Sequence, residues 1–275
     1  RIGTDASTDV HDIDLLPNGN YLVAKSTYRR GIDFSAFGGP VDASSLDVDV
    51  QVVTPANEVV GHWKSADHIA FSEAGRWWAE LTSGAAPLAS DVSHWNAAAV
   101  DGKFMYLSFR NADAIYKVNR KTGRVVWKLG GTTTPRSLEL VNGPADGYPL
   151  GGQHDVHVLP DKAITVFNNR TDLAGSQPRA QRFRIDEDAG TAKIIGTIRN
   201  ERVGETFCCG SAQMLPSKEW LVSWGNSGLT GAYDEAGRPL FRLDLDILWS
   251  YRANAVPDGV VSALRLRKAM NFMNR

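Results

Sequence analysis

Four stretches of this chain follow one plan, and a repeat of that kind restricts the fold more than anything else in the sequence. They are "HDIDLLPNGNYLVA" from His11, "HWNAAAVDGKFMYLSFR" from His94, "HDVHVLPDKAITVFNNR" from His154 and "GSAQMLPSKEWLVSWG" from Gly210. Each reads as an apolar strand, a short polar turn and a second apolar strand. The turns are built on Pro, Gly, Asn and Asp, residues that favour hairpin geometry. A second strand pair with its own turn follows each hairpin, as in "AIYKVNRKTGRVVWKLGG". Four strands per unit, repeated along the chain, predict an all-β fold, a β-propeller of four-stranded blades. The blade units begin near residues 11, 94, 154, 210 and 250 of a single domain over 1–275, the last opening with "SYRANAVPDGVVSALRLR". A two-sheet sandwich accounts for the strands but not for the likeness between units. The segment from about 70 to 89, "AFSEAGRWWAELTSGAAPLA", has helical rather than strand character and reads as an insertion between blades.

Composition narrows the class of function. Thirty basic and 31 acidic residues nearly cancel, which argues against a nucleic-acid or membrane-surface partner. No apolar run is long enough to cross a bilayer as a helix. The chain carries no signal peptide and opens at "RIGTDASTDV", either a mature N-terminus or the cut end of a longer protein whose first blades precede it. The two cysteines, Cys208 and Cys209, are adjacent, so they cannot staple distant segments. Placed just before an inner strand, beside the channel mouth, they form either a closed vicinal ring or a pair of free buried thiols.

In a propeller the first strand of every blade lines the central channel. The equivalent position is His11, His94 and His154 in three successive units, then Gly210 and Ser250. One buried histidine is ordinary. Three at one register, in a fold that brings that register to one place, predict a shared site. Asp12 and Asp155 follow two of these histidines and Asn96 lies beside the third, to hold turns or orient rings. Arg110 and Arg170 end second strands, where an arginine reaches solvent or, next to converging imidazoles, clamps an anion. His157, at odd offset from His154, faces the other side and reads as structural, as do His62 and His68. The set fits two chemistries. Three imidazoles can ligate zinc, copper or iron. Alternatively, imidazoles and a guanidinium can bind and transfer a sulfate- or phosphate-like group. A non-catalytic propeller that binds a ligand or partner is the third reading.

The stretch from Asp91 to Gly131, with "GGQHDVHVLPDKAITVFNNR" after it, resembles the PAPS-independent arylsulfate sulfotransferases, and "CCGSAQMLPSKEWLVSWG" and "SYRA" look like their actinobacterial and eukaryotic relatives. The resemblance runs from about Asp9 to Val256. It implies a six-bladed propeller, often exported to the periplasm or secreted, that moves a sulfuryl group from a phenolic sulfate to a phenol without a cofactor or metal, by a ping-pong route through a sulfohistidine. Carried over by position, it assigns catalysis to His94, His154 and Arg170, with Arg179 a second candidate for the sulfate-binding arginine. It leaves His11, Asn96, Arg110, Ser250, Tyr251 and Arg252 to bind substrate. The family's nucleophile lies in a His-Tyr-Arg-Ala motif. Here that motif is Ser250, Tyr251, Arg252, Ala253, so either another channel histidine accepts the sulfuryl group or transfer is direct, with His154 or His94 as nucleophile or general base and Arg170 and Arg252 on the sulfate oxygens.

Overall fold

The repeated turns close alike. Leu16 N–H donates to Asn20 O, Leu159 N–H to Ala163 O and Leu215 N–H to Glu219 O, each at 2.8 Å. The third turn residue after the leucine is left-handed in all three: Gly19 (φ 82°), Lys162 (φ 64°) and Lys218 (φ 69°). Proline fixes the first turn dihedral, and the left-handed residue then reverses the chain.

The computed structural model describes residues 8–83, 89–246, 249–256 and 259–273. The strands between these turns form four antiparallel sheets in sequence order. Blade 1 holds β1 (Thr8–Leu15), β2 (Tyr21–Ile32), β3 (Ala43–Val53) and β4 (Val59–Lys64). Blade 2 holds β5 (Trp95–Asp101), β6 (Phe104–Phe109), β7 (Ala114–Asn119) and β8 (Val125–Gly130). A short strand, β9 (Glu139–Val141), pairs in parallel with the outer edge of blade 3, which holds β10 (His154–Val158), β11 (Ile164–Asn168), β12 (Arg179–Asp186) and β13 (Thr191–Ile198). Blade 4 holds β14 (Ser211–Met214), β15 (Trp220–Ser223), β16 (Leu229–Tyr233) and β17 (Pro239–Asp244). The chain is a β-propeller of four-stranded blades, with four such blades among the described residues.

The core lies between blades. Successive strand residues point to opposite faces, so each inner blade feeds two cores. Met105 and Leu107 pack toward Leu22, Val50 and Trp63 of blade 1. Tyr106 and Ile115 pack toward Val156, Ile164 and Phe183 of blade 3. Phe167 and Ala180 then meet Trp220, Val222 and Trp224 of blade 4.

The expected insertion folds as a 3₁₀ segment, Phe71–Trp77, running into α1 (Trp78–Thr82). The rest of it, residues 84–88, lies outside the described residues. Its anchor is Glu73, which accepts from the Tyr116 hydroxyl at 2.8 Å and from Lys128 Nζ at 2.6 Å inside blade 2. Where a fifth unit was expected from Ser250, residues 249–256 form no strand; they run beside β14, and the chain ends in the exposed α2 (Ala263–Met273). Of the described helices, none is long and apolar enough to cross a membrane.

Candidate functional site

The three inner strands share one irregularity. Register shifts between Thr8 and Ile13, between Trp95 and Ala97, and between His154 and His157, each at or just after the histidine of its blade. Two of these sites use left-handed backbone at non-glycine residues, His94 (φ 49°) and Asp155 (φ 62°). Bulges re-aim side chains, and strained backbone of this kind collects at functional sites. The result is convergence: the His11 ring centroid lies 4.9 Å from that of His94 and 6.5 Å from that of His154. Tyr251 joins them, its ring 5.1 Å from His154 and 6.4 Å from His11.

Each imidazole is held through Nδ1. His11 Nδ1 is 2.7 Å from Asp9 and His94 Nδ1 is 2.6 Å from Asp91, while each carboxylate also accepts the backbone N–H of its histidine. His154 Nδ1 is 2.8 Å from Gly210 O. A carbonyl oxygen only accepts, so Nδ1 carries the proton and Nε2 keeps its lone pair. That Nε2 is buried and, among the described residues, has no hydrogen-bond partner. Burial, reinforced by the nearby Arg252 charge, pushes the His154 pKa down to about 3, so the ring is neutral at ordinary pH. Burial pushes the Tyr251 phenol up to about 12, and its hydroxyl donates to His11 O at 2.9 Å.

Beneath the rings, the residue following each histidine by one or two places ties its blade to the next. Asp12 accepts from Ala98 N (2.8 Å), Asn96 donates to Gln153 O (2.6 Å) and Asp155 accepts from Ala212 N (3.1 Å). Arg252 closes this layer from the axis. It donates to Asp12 (2.6 Å) and Asn96 O (2.6 Å), with Nε 3.3 Å from Asp155. A polar cavity of about 340 Å³ lies on the far side, lined by Asp12, Asp14, Asp155, His157 and Arg252 among others.

This geometry redistributes the expected roles. His11, His94, His154 and Tyr251 come together. Asn96 is buried and Arg252 half-buried, and both are polar joints between blades. Ser250 is 6% exposed, and its hydroxyl sits between Ser223 Oγ (2.7 Å) and Thr230 Oγ1 (3.0 Å) on blade 4. Arg170 is committed elsewhere, donating to Tyr148 O (2.7 Å), Ala174 O (2.6 Å) and the Asp146 carboxylate, because a buried guanidinium takes whatever acceptors surround it. The other candidate, Arg179, donates to Gly175 O and Gln177 O. Arg110 remains at the rim. Its backbone N–H donates to His94 O, its guanidinium stacks 4.1 Å over Trp77 and donates to Phe207 O, and its charge is felt at Asp91. His157 turns away to bond Asp155 at 2.8 Å, His68 stacks on Trp63 at 4.7 Å, and His62 sits 3.8 Å from Asp49, as structural histidines do. Cys208 and Cys209 form the closed vicinal disulfide.

Asp9, Asp91 and the Gly210 carbonyl are the partners of the converging rings that sequence reading passed over. "TDVH" and "SDVSH" carried the first two in plain view; a main-chain acceptor has no signature in sequence. Among the described residues, no group of three or more His, Cys, Asp or Glu side chains is arranged to hold a metal ion.

Among solved structures, the chain is similar to Kuenenia stuttgartiensis hydrazine synthase (14% identity over 87% of this chain and 51% of that one, TM-score 0.43). It is similar also to virginiamycin B lyase from Staphylococcus aureus (9%, 86% and 55%, 0.42) and to a periplasmic gluconolactonase of Pseudomonas aeruginosa (13%, 89% and 73%, 0.40). It spans little more than half the length of the first two. These likenesses are too distant to speak for activity. No curated protein matches it. A family model described as arylsulfotransferase (ASST) matches residues 3–245, nearly the whole chain, and on that match the chain belongs to the arylsulfotransferase family.

Proposed function

We propose that the chain transfers a sulfuryl group from an aryl sulfate to a phenolic acceptor, with His154 Nε2 as the attacking atom. The observation that carries this reading is the unpartnered, unprotonated Nε2 of a buried ring whose tautomer is fixed from behind. In the first step the Nε2 lone pair forms a bond to sulfur and the sulfur–oxygen bond to the aryl group breaks. The leaving phenolate takes a proton from a neighbouring imidazole, His11 or His94. In the second step the acceptor phenol gives its proton back to that imidazole and attacks sulfur, and the nitrogen–sulfur bond breaks to restore His154. Sulfation leaves the His154 ring positively charged. Gly210 O supports that charge, while Arg252 beneath works against it and keeps the sulfuryl group mobile.

The sulfuryl oxygens carry negative charge in flight and need fixed donors. His11 and His94 supply them through Nε2, and the Asp9 and Asp91 carboxylates offset the positive charge of a protonated ring. Arg110 adds charge at the rim, and the Tyr251 ring gives an aryl group an aromatic wall. Export of the protein accords with the Cys208–Cys209 disulfide, since disulfides persist in oxidising compartments.

The test is transfer from 4-nitrophenyl sulfate to a phenol. His154→Ala is expected to lower the rate by at least about a hundredfold with the fold retained, the scale of losing a reacting base. Absence of transfer by the wild-type protein from pH 5 to 9 would replace this reading with that of a ligand-binding propeller.

A further inference from the structure

The loop that carries the vicinal cysteines is tied to blades 2, 3 and 4. Phe207 O accepts from Arg110 of blade 2 at 3.2 Å, and Phe207 N–H donates to Asn226 of blade 4 at 3.0 Å. Cys209 O accepts from Asn169 at the end of the second strand of blade 3 at 3.2 Å. Cys208 O packs so closely on Gly225 that a Cβ there would lie 2.4 Å from it. The next residue, Gly210, joins the site through both main-chain groups: its carbonyl accepts from His154 Nδ1 at 2.8 Å, and its N–H donates to Tyr251 O at 2.9 Å. To do so the chain passes through two left-handed residues in a row, Cys209 (φ 67°) and Gly210 (φ 88°). Glycine accepts that conformation freely; cysteine does not. Gly210 has no alternative, because a Cβ on it would meet the buried Phe167 ring at 2.3 Å.

A disulfide between adjacent residues closes an eight-atom ring that includes their peptide bond, so it restrains the backbone at Cys209 directly. We propose that the Cys208–Cys209 ring is a positioning element for His154: it fixes Gly210 where its carbonyl holds the Nδ1–H tautomer and its N–H holds the segment bearing Tyr251. Opening the ring releases both. The rate consequence rests on His154 being the reacting nitrogen; the tautomer consequence does not.

The experiment compares the oxidised protein, the same protein treated with a small dithiol, and Cys208→Ala/Cys209→Ala. The dithiol is oxidised to its own disulfide, and its two electrons and two protons convert the Cys208–Cys209 bond into two thiols. Alkylation and intact mass report the thiols, circular dichroism reports the fold, and the ¹⁵N shifts of His154, assigned with His154→Gln, report its tautomer. The expected result is a single Nδ1–H tautomer when oxidised and a tautomer mixture when reduced. kcat for aryl-sulfate transfer falls about tenfold or more, the scale of losing an imidazole's orienting partner, while KM changes less. Reoxidation restores both, and the double variant resembles the reduced protein and ignores the dithiol. Should the double variant fail to fold, the reduction and reoxidation series of the wild type decides alone. Unchanged His154 signals in folded protein with two verified thiols would overturn the proposal, as would two alkylatable thiols in the protein before any reductant. A protein without transferase activity in either state leaves the tautomer readout to decide this point, separately from the proposed function.

Discussion

His11, His94 and His154 occupy one register, yet they are held by opposite kinds of partner. Two rings are backed by carboxylates and the third by a main-chain carbonyl, and in the proposed mechanism this difference divides donor from nucleophile. It also makes His154 visible in the pH dependence of stability. Its pKa is lowered from an ordinary 6.5 to about 3, so between those values the unfolded chain binds a proton that the folded chain does not. Its contribution is therefore complete above about pH 6.5 and is lost as pH falls toward 3, at up to about 1.4 kcal/mol per pH unit. His157 has the opposite sign. Burial opposes its charge, but the facing Asp155 carboxylate outweighs burial and raises the pKa, so its contribution is present at low pH and lost as pH rises through the raised value. Urea unfolding of His154→Gln at pH 4 to 6.5 should show a shallower pH slope than wild type; equal slopes would show that the folded ring does protonate. In activity, an unprotonated Nε2 down to such low pH predicts that kcat shows no acid limb between pH 5 and 7. A limb there would assign the reacting base elsewhere. That the histidines and Tyr251 come together was readable, because their side chains repeat or resemble a known motif. The partners of Arg170, Arg252, Asn96 and Ser250 were not, because sequence does not reveal which carboxylate or carbonyl captures a polar group.

Hairpins were readable at the scale of elements. Leu-Pro turns and strand alternation fix where chains reverse, and the Lys162 and Lys218 turns copy the Gly19 turn despite lacking glycine. The irregularity at each histidine was not readable, since a bulge depends on how the partner strand is registered. The segment that reads as an insertion between blades 1 and 2 is fastened through the core. Lys128 is 1% exposed and Glu73 is 7% exposed, and Tyr116 bonds the same carboxylate. Removing one partner strands a buried charge, which costs about 3–5 kcal/mol. Glu73→Ala is therefore expected to lower the unfolding free energy by about that much, measured by denaturant titration. A loss under about 1 kcal/mol would mean that water reaches Lys128.

The whole molecule brings one repeated position to one place, and that convergence was the part of the architecture most clearly written in the chain. The repeat also promised a fifth unit, whereas residues 249–256 instead lay Tyr251 and Arg252 along the axis, against blades 1 to 4. Periodicity in sequence shows where a unit could begin; it does not show whether its strands find partners. With the family's histidine position held by a buried serine, the account depends on His154 carrying the sulfuryl group. The most direct measurement is to mix the protein with 4-nitrophenyl sulfate in the absence of acceptor, quench in alkali, digest, and map the sulfated peptide by mass spectrometry. The expected result is one burst of 4-nitrophenolate per active site and a single sulfuryl group on His154, discharged when a phenol is added. A sulfuryl group found on His94, His11 or Tyr251, or a burst of equal size from His154→Ala, would contradict it.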